Sequence, residues 1–245
     1  MSVAVLIGLL AGHVIGDFII QSRRDVARKH RPSVLLKHAT VHAVLAYFLV
    51  GAWAALWIPV IVGASHALID WYKTRFGDSK LEWFFKDQAA HLLVIAIIAA
   101  IGFSLGTTSA WSDPQTVYVM PFLAVATGAI VVLRVGSMVM NLALAPYLAI
   151  MRDRGGEESL PGNRGFDRGG QTIGYLERTL IYVFILAGQP GAVGFLVAAK
   201  AFLRFGEIRK SENRLEAEYI IIGTLASFAF ATVASYGVVL LLALL

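Results

Sequence analysis

Four short pairs of residues carry the chemistry-bearing side chains of this chain: His13/Asp17, His38/His42, His66/Asp70 and Asp87/His91. Each pair is spaced i, i+4, so on a helix its two side chains lie on one face, one turn apart. Mixed imidazole and carboxylate ligands suit Zn, with Mn or Fe as alternatives, and suit Ca or Mg less well. Helix bundles build metal centres this way, with ligands projecting inward from facing helices. Eight candidates exceed the needs of one tetrahedral ion. They suit two ions about 3.5–4 Å apart, or one ion with supporting groups around it. Such a centre activates water near neutral pH for attack on a phosphoryl or acyl group. Asp87 and Asp17 are the acids that stand as candidates for general base instead of ligand. A single histidine inside a membrane helix is more often a hydrogen-bonded packing residue. Five of the six histidines and three acids at matched spacing weigh the other way, because ionisable groups in spanning segments are costly and mark sites or ion paths. His30 sits in a basic loop and is set aside.

The elements that must position these pairs are membrane helices. Apolar residues make up 58% of the chain against 15% charged, with mean hydropathy +0.70; a soluble domain carries about 25% charged residues. The chain has no cysteine, which excludes thiolate sites and disulfides. Its net charge of +5 reads as cytoplasmic loops facing anionic lipid, not as a nucleic-acid surface. The expected fold is all-α, a polytopic bundle of about eight transmembrane helices, near 3–21, 33–51, 53–73, 87–106, 117–151, 169–188, 190–208 and 215–244. Pro121 and Pro146 mark possible kinks in the fifth. The seventh, interrupted by Lys200, is the weakest. The first segment has no basic stretch ahead of its apolar run and carries His13 and Asp17 within it, so it reads as a retained helix and not a signal peptide.

Loop charges supply an independent signal, since Lys and Arg concentrate on the cytoplasmic side. They gather after the first helix (Arg23, Arg24, Arg28, Lys29, Arg31), the third (Lys73, Arg75, Lys80, Lys86), the fifth (Arg152, Arg154, Arg164, Arg168) and the seventh (Arg209, Lys210, Arg214). The intervening connections carry none. Both termini are therefore expected outside the cytoplasm. All four pairs then fall near cytoplasmic helix ends, in two layers. Asp17, His38, Asp70 and Asp87 lie nearer the cytoplasm, and His13, His42, His66 and His91 about one turn, roughly 5 Å, deeper. Gln21, Gln88, Lys37 and Lys73 stand close enough in sequence to brace carboxylates or meet an anionic substrate.

The stretch 152–170, rich in Gly, Arg and acids, is the one linker. It lies within the second of two regions of a single membrane domain, 1–110 with the His/Asp pairs and 115–245. The second region carries Arg134, Glu177, Arg178, Lys200 and Arg204. One reading is an anionic-headgroup pocket, because Arg holds phosphate through a bidentate fork. The other is internal ion pairing, such as Glu177 with Arg134 or Lys200.

The runs HVIGDFIIQS, KHATVHA, HALIDWYK and KDQAAH resemble a bacterial multi-pass membrane family known as domain of unknown function 3307, over roughly residues 1–106. IGYLERTLI, AAKAFLRFGE and AEYIIIGTLAS resemble the companion region of longer members. The resemblance implies a bacterial inner-membrane protein and supplies no activity. A looser similarity, in motif style, to membrane-bound proteins predicted to be metal-dependent hydrolases implies a hydrolase. Together these readings lead to a membrane metal-dependent hydrolase acting on a lipid or lipid-linked phosphoester or acyl substrate at the cytoplasmic leaflet. The alternatives are a divalent-metal transporter or channel, and a structural or sensor protein whose metal fixes the fold.

Overall fold

The computed structural model describes residues 3–155, 169–210 and 214–245, with the side chains of 203–210 and 214 outside that description. Every regular element among the described residues is helical. In order they are α1 (Val3–Ile15), running on through a π-helical turn (Gly16–Ile20), the short α2 (Arg23–Ala27), α3 (Pro32–Val50), α4 (Trp57–Phe76) and α5 (Leu81–Ser104). Then follow α6 (Val119–Ile130), a second π-turn (Val131–Val135), α7 (Gly136–Gly155), α8 (Gly169–Leu186), α9 (Gly191–Lys210) and α10 (Arg214–Ala243).

Helices stand at each of the eight expected places. Five stretches are long and apolar enough to cross a membrane: Val3–Ile20, Pro32–Val50, Leu81–Ser104, Pro114–Arg154 and Leu215–Ala243. α4 and α8 are long enough but carry Asp70, Lys73 and Arg75, or Glu177 and Arg178, and α9 is apolar only over Gly191–Phe202. α5 begins six residues before its expected start at 87. The added stretch LEWFFK sets Glu82 and Lys86 among apolar residues, and these charges interrupt the apolar run by which hydropathy marks a span. The irregularity in the fifth expected span is the π-turn at Val131–Val135. Pro121 falls in the first turn of α6, where a missing N–H costs nothing, and Pro146 lies inside α7.

The chain packs as two units, Met1–Ile130 with Leu240–Leu245, and Val131–Val239. In the first, α1 is the most buried spanning helix and packs against α3, α5 and α6, while α3 and α5 each pack on α4. Gly8, Gly12 and Gly16 recur every four residues along α1, a small-residue stripe that lets membrane helices approach closely. A Cβ at Gly8 would lie 2.5 Å from the Leu49 carbonyl oxygen and 2.7 Å from Val50 Cα. At Gly63 of α4 a Cβ would come within 3.2 Å of the Ala43 Cβ. The apolar core beside this stripe holds Val5, Leu9, Ala46, Val50, Ile58, Ile95, Ile98 and Ala99. Gly51, at φ +65°, ends α3 in the left-handed region that glycine enters without strain.

Candidate metal centre

α1, α3, α4 and α5 each bring one of the four pairs to a common point in the first unit. α1 does so through its π-turn, which widens the helix at Gly16 and carries Asp17 in its first turn. Such π-bulges recur at functional sites. Gly16 lies directly under the His42 ring, where a Cβ would collide with it. His13, His38, His42, His66, Asp70, Asp87 and His91 are all buried, and Asp17 nearly so.

Asp17 Oδ1 is the hub. The Nε2 atoms of His38, His42 and His66 stand 3.0, 3.2 and 3.4 Å from it. Around a tetrahedral ion with bonds of about 2.0–2.1 Å, neighbouring ligand atoms lie 1.63 bond lengths apart, about 3.3–3.4 Å. The three distances from Asp17 Oδ1 match such a separation, and the four residues each offer a ligand atom within 4.8 Å of the others. His66, Asp70 and His91 form a second group at the same limit, sharing His66 with the first.

Hydrogen bonding tests whether these atoms fit a cation. His38 Nε2 bonds Asp17 Oδ1. His42 Nε2 and His66 Nε2, although close to the same oxygen, are misaligned and have no hydrogen-bond partner, nor do Asp70 Oδ2 and His91 Nε2. His91 Nδ1–H donates to the Asp87 backbone carbonyl at 2.8 Å, which leaves its Nε2 lone pair free, the arrangement in which second-shell bonds fix a metal-ligating histidine. Each orphaned buried atom costs about 1–3 kcal/mol. All four are ring nitrogens or carboxylate oxygens, the atom types that bind a divalent cation, and each belongs to one or other of the two groups. His42 and His66 stack at 3.5 Å between ring centroids, and His66 and His91 lie 4.1 Å apart with their rings tilted at 46°.

The remaining candidates flank the two groups. His13 belongs to neither. Its Nε2 lies 3.1 Å from Gln88 Oε1 and its ring stacks on His91 at 5.0 Å. Asp87 also stands outside. Lys73 donates to its Oδ2 at 2.7 Å, Gln88 Nε2 does so at 3.1 Å, and its Oδ1 is buried without a partner. Gln21 places its amide nitrogen 3.2 Å from His38 Nδ1. Lys37 points away, to Asp25, whose carboxyl is held below its ordinary value by the Ser22 hydroxyl and the Lys37 ammonium. The four residues expected one helical turn deeper, His13, His42, His66 and His91, share a cavity of about 20 Å³, walled by Leu9, Val62, Val94, Ile95 and Ile98. Each ligand group, however, draws from both expected layers.

Residues 5–119 match the family described as protein of unknown function (DUF3307). This stretch belongs to that family. No curated protein and no solved structure matches the chain. The DUF3307 region contains all eight His/Asp candidates and every residue that braces them.

One participant escapes sequence reasoning. Lys29, which reads as a topology marker in a basic loop, reaches Asp70 Oδ1 at 2.7 Å and is 12% exposed. The only signal for it is charge balance, three buried carboxylates needing more than Lys73 for company. The second-region candidates lie in the second unit. Glu177 pairs with Lys200, the internal pairing set out above. Arg134 is exposed on its π-turn, Arg178 is buried, and the side chain of Arg204 lies outside the described residues.

Proposed function

We propose that this chain is an inner-membrane metal-dependent hydrolase, acting on a lipid or lipid-linked phosphoester or acyl bond at the cytoplasmic leaflet. It would cross the membrane eight times with both termini outside the cytoplasm. The observation that carries the reading is the shell of Asp17, His38, His42 and His66, with two of its nitrogens otherwise orphaned. These four residues would hold the ion, zinc being the best fit to three imidazoles and one carboxylate. When bound, such an ion supplies Lewis acidity and activates water near neutral pH. The group His66, Asp70 and His91 shares His66 with this shell, so it would be an alternative seat for the ion.

The chain's own groups divide the remaining work. Asp17 lies within 3.4 Å of three imidazole nitrogens, which favours a ligand's role for it. Asp87 is the better general base. Lys73 fixes its Oδ2, and Oδ1, buried without a hydrogen-bond partner, is the oxygen that would accept a proton from water. Lys29 and Gln21 hold Asp70 and His38 in place.

A transport path is the second reading, and the core weighs against it. The other halves of the same helices supply Val5, Leu9, Val50, Ile58, Ile95 and Ile98, an apolar plug in which, among the described residues, no ligand continues the route. An ion crossing it would lose its coordination.

Metal analysis and lipid-extract hydrolysis on the same purified variants test the proposal. His42→Ala should lose metal. Asp87→Ala should keep metal and lose about 10²–10⁴-fold in turnover, the usual contribution of a general base. Metal content unchanged in His42→Ala sinks the centre. Metal uptake into proteoliposomes with no hydrolysis moves the assignment to transport.

A further inference from the structure

The second unit holds a buried cation to which, among the described residues, no carboxylate is bonded. Arg178 of α8 is 3% exposed. Nη1 donates to Ser227 Oγ at 3.1 Å and Nη2 to Ser137 Oγ at 2.5 Å. Both partners are neutral. Nε is buried with no partner. The adjacent Glu177 turns to Lys200 instead, and among the described residues no carboxylate pairs with Arg178. A guanidinium taken out of water without an opposite charge is costly.

The cluster is built for this side chain. A Cβ at Gly136 would meet Arg178 Cδ at 3.2 Å, and one at Gly174 would meet Nη1 at 3.2 Å. Two glycines from α7 and α8 therefore make the seat, and the Tyr175 ring packs 5.4 Å from the guanidinium carbon. What the cluster offers is one-sided. The guanidinium has five N–H groups and spends two on the serines. Each serine hydroxyl accepts from Arg178 and keeps its own O–H to give. The missing partner is an anion rich in acceptor oxygens. Ser137, Gly174 and Tyr175 are half-buried and form the approachable side.

We propose that Arg178, Ser137 and Ser227 form a binding site for a phosphate-type oxyanion. The planar fork suits two phosphate oxygens. The hydroxyls, arriving from α7 and α10, suit a tetrahedral anion more than a flat carboxylate. The anion is either free phosphate or the phosphate of a lipid headgroup. The site lies wholly within the second unit and does not rest on the metal centre.

The full chain in phosphatidylcholine nanodiscs, titrated with inorganic phosphate by calorimetry, tests the free anion. Native mass spectrometry of protein taken from nanodiscs containing phosphatidate tests the headgroup. Binding in either arm is expected to vanish in Arg178→Gln and to weaken about tenfold in Ser137→Ala, the usual loss for one hydrogen bond in a charged cluster. Arg178→Lys, which keeps the charge without the fork, should also bind more weakly than wild type. Ser137→Ala keeps the buried cation in place, so it carries the test if Arg178→Gln fails to fold. Prior chelation should leave the binding intact, which separates this site from the metal reading. No binding in either arm, or binding indifferent to both Ser137→Ala and Arg178→Gln, overturns the proposal.

Discussion

His66 is the residue common to both ligand groups, and replacing it by leucine should reverse the order of stability with and without metal. In chelator-treated protein, His66 Nε2 is buried with no partner. Leucine is close in size and has no polar atom to satisfy. The substitution therefore removes a penalty of about 1–3 kcal/mol, and the metal-free variant should be as stable as wild type or more so. With a divalent ion at a hundred times its dissociation constant, wild type gains about 2.7 kcal/mol by mass action. His66→Leu removes one ligand from each group and should gain little. For a chain of this size that difference is about 5–11 °C in Tm, at about 2–4 °C per kcal/mol. Thermal unfolding in detergent, each protein measured with chelator and with zinc, reads both comparisons at once. A variant less stable than wild type in chelator and shifted equally by zinc would refute the reasoning, because the histidine would then be an ordinary packing residue.

Gly16→Ala should expel metal by pushing its new Cβ into the His42 ring, whereas Gly12→Ala, whose Cβ would lie 3.5 Å from the Ala46 nitrogen, should retain it; equal metal content in the two would remove the role given to Gly16. Lys29→Met should destabilise the protein by about 3–5 kcal/mol, the usual cost of stripping one partner from a buried ion pair, and a Tm unchanged from wild type would mean that Asp70 is solvated. Gly8→Leu should disrupt the α1–α3 contact more than Gly12→Ala does, judged by loss of a monodisperse peak in size-exclusion chromatography.

The clustering of the His/Asp pairs is legible in the sequence because its signal is chemical and periodic at once. Histidine and aspartate are rare in apolar helices, and spacing by four survives any uncertainty in helix ends. The pairs at His38/His42 and His66/Asp70 needed nothing more. Asp17 was legible as a candidate, but its place as hub depends on a π-turn that the 3.6-residue period does not signal. Lys29 was illegible as a participant, since a lysine in a basic loop carries the same pattern whether it marks topology or reaches back to a buried acid. The start of α5 was missed for a related reason: the charges of Glu82 and Lys86 break the apolar run that marks a span. In the second region, the charges allow Glu177 to pair with Arg134 or with Lys200, or to line an anion pocket, and the structure has the pair with Lys200; the surroundings of Arg178 appear only once its neighbours are known to be serines.

The glycine stripe links the packing of the first unit to its chemistry. Four imidazoles and two carboxylates meet within a few ångströms only if the backbones carrying them approach more closely than leucine-lined helices allow. Gly8 and Gly12 permit that approach along the apolar half of α1, and Gly16 extends it to the level of the ligands, where a backbone replaces a side chain beneath His42. The same stripe that needs no polar group to pack α1 on α3 therefore sets the distance from Asp17 to His38 and His42 at 3.0–3.2 Å. Close packing of this kind makes the cluster rigid before any ion arrives. A preorganised shell of orphaned donor atoms is unfavourable by itself, about 1–3 kcal/mol for each atom left unpaired. It persists because the apolar core beside it holds the helices in register. A cluster whose only role was packing would relieve that cost by pairing its own nitrogens and oxygens with one another. Here Asp17 takes His38, Asp70 takes Lys29 and Asp87 takes Lys73, yet His42, His66 and His91 each keep an unpaired Nε2, and these are the nitrogens that the proposed ion would use.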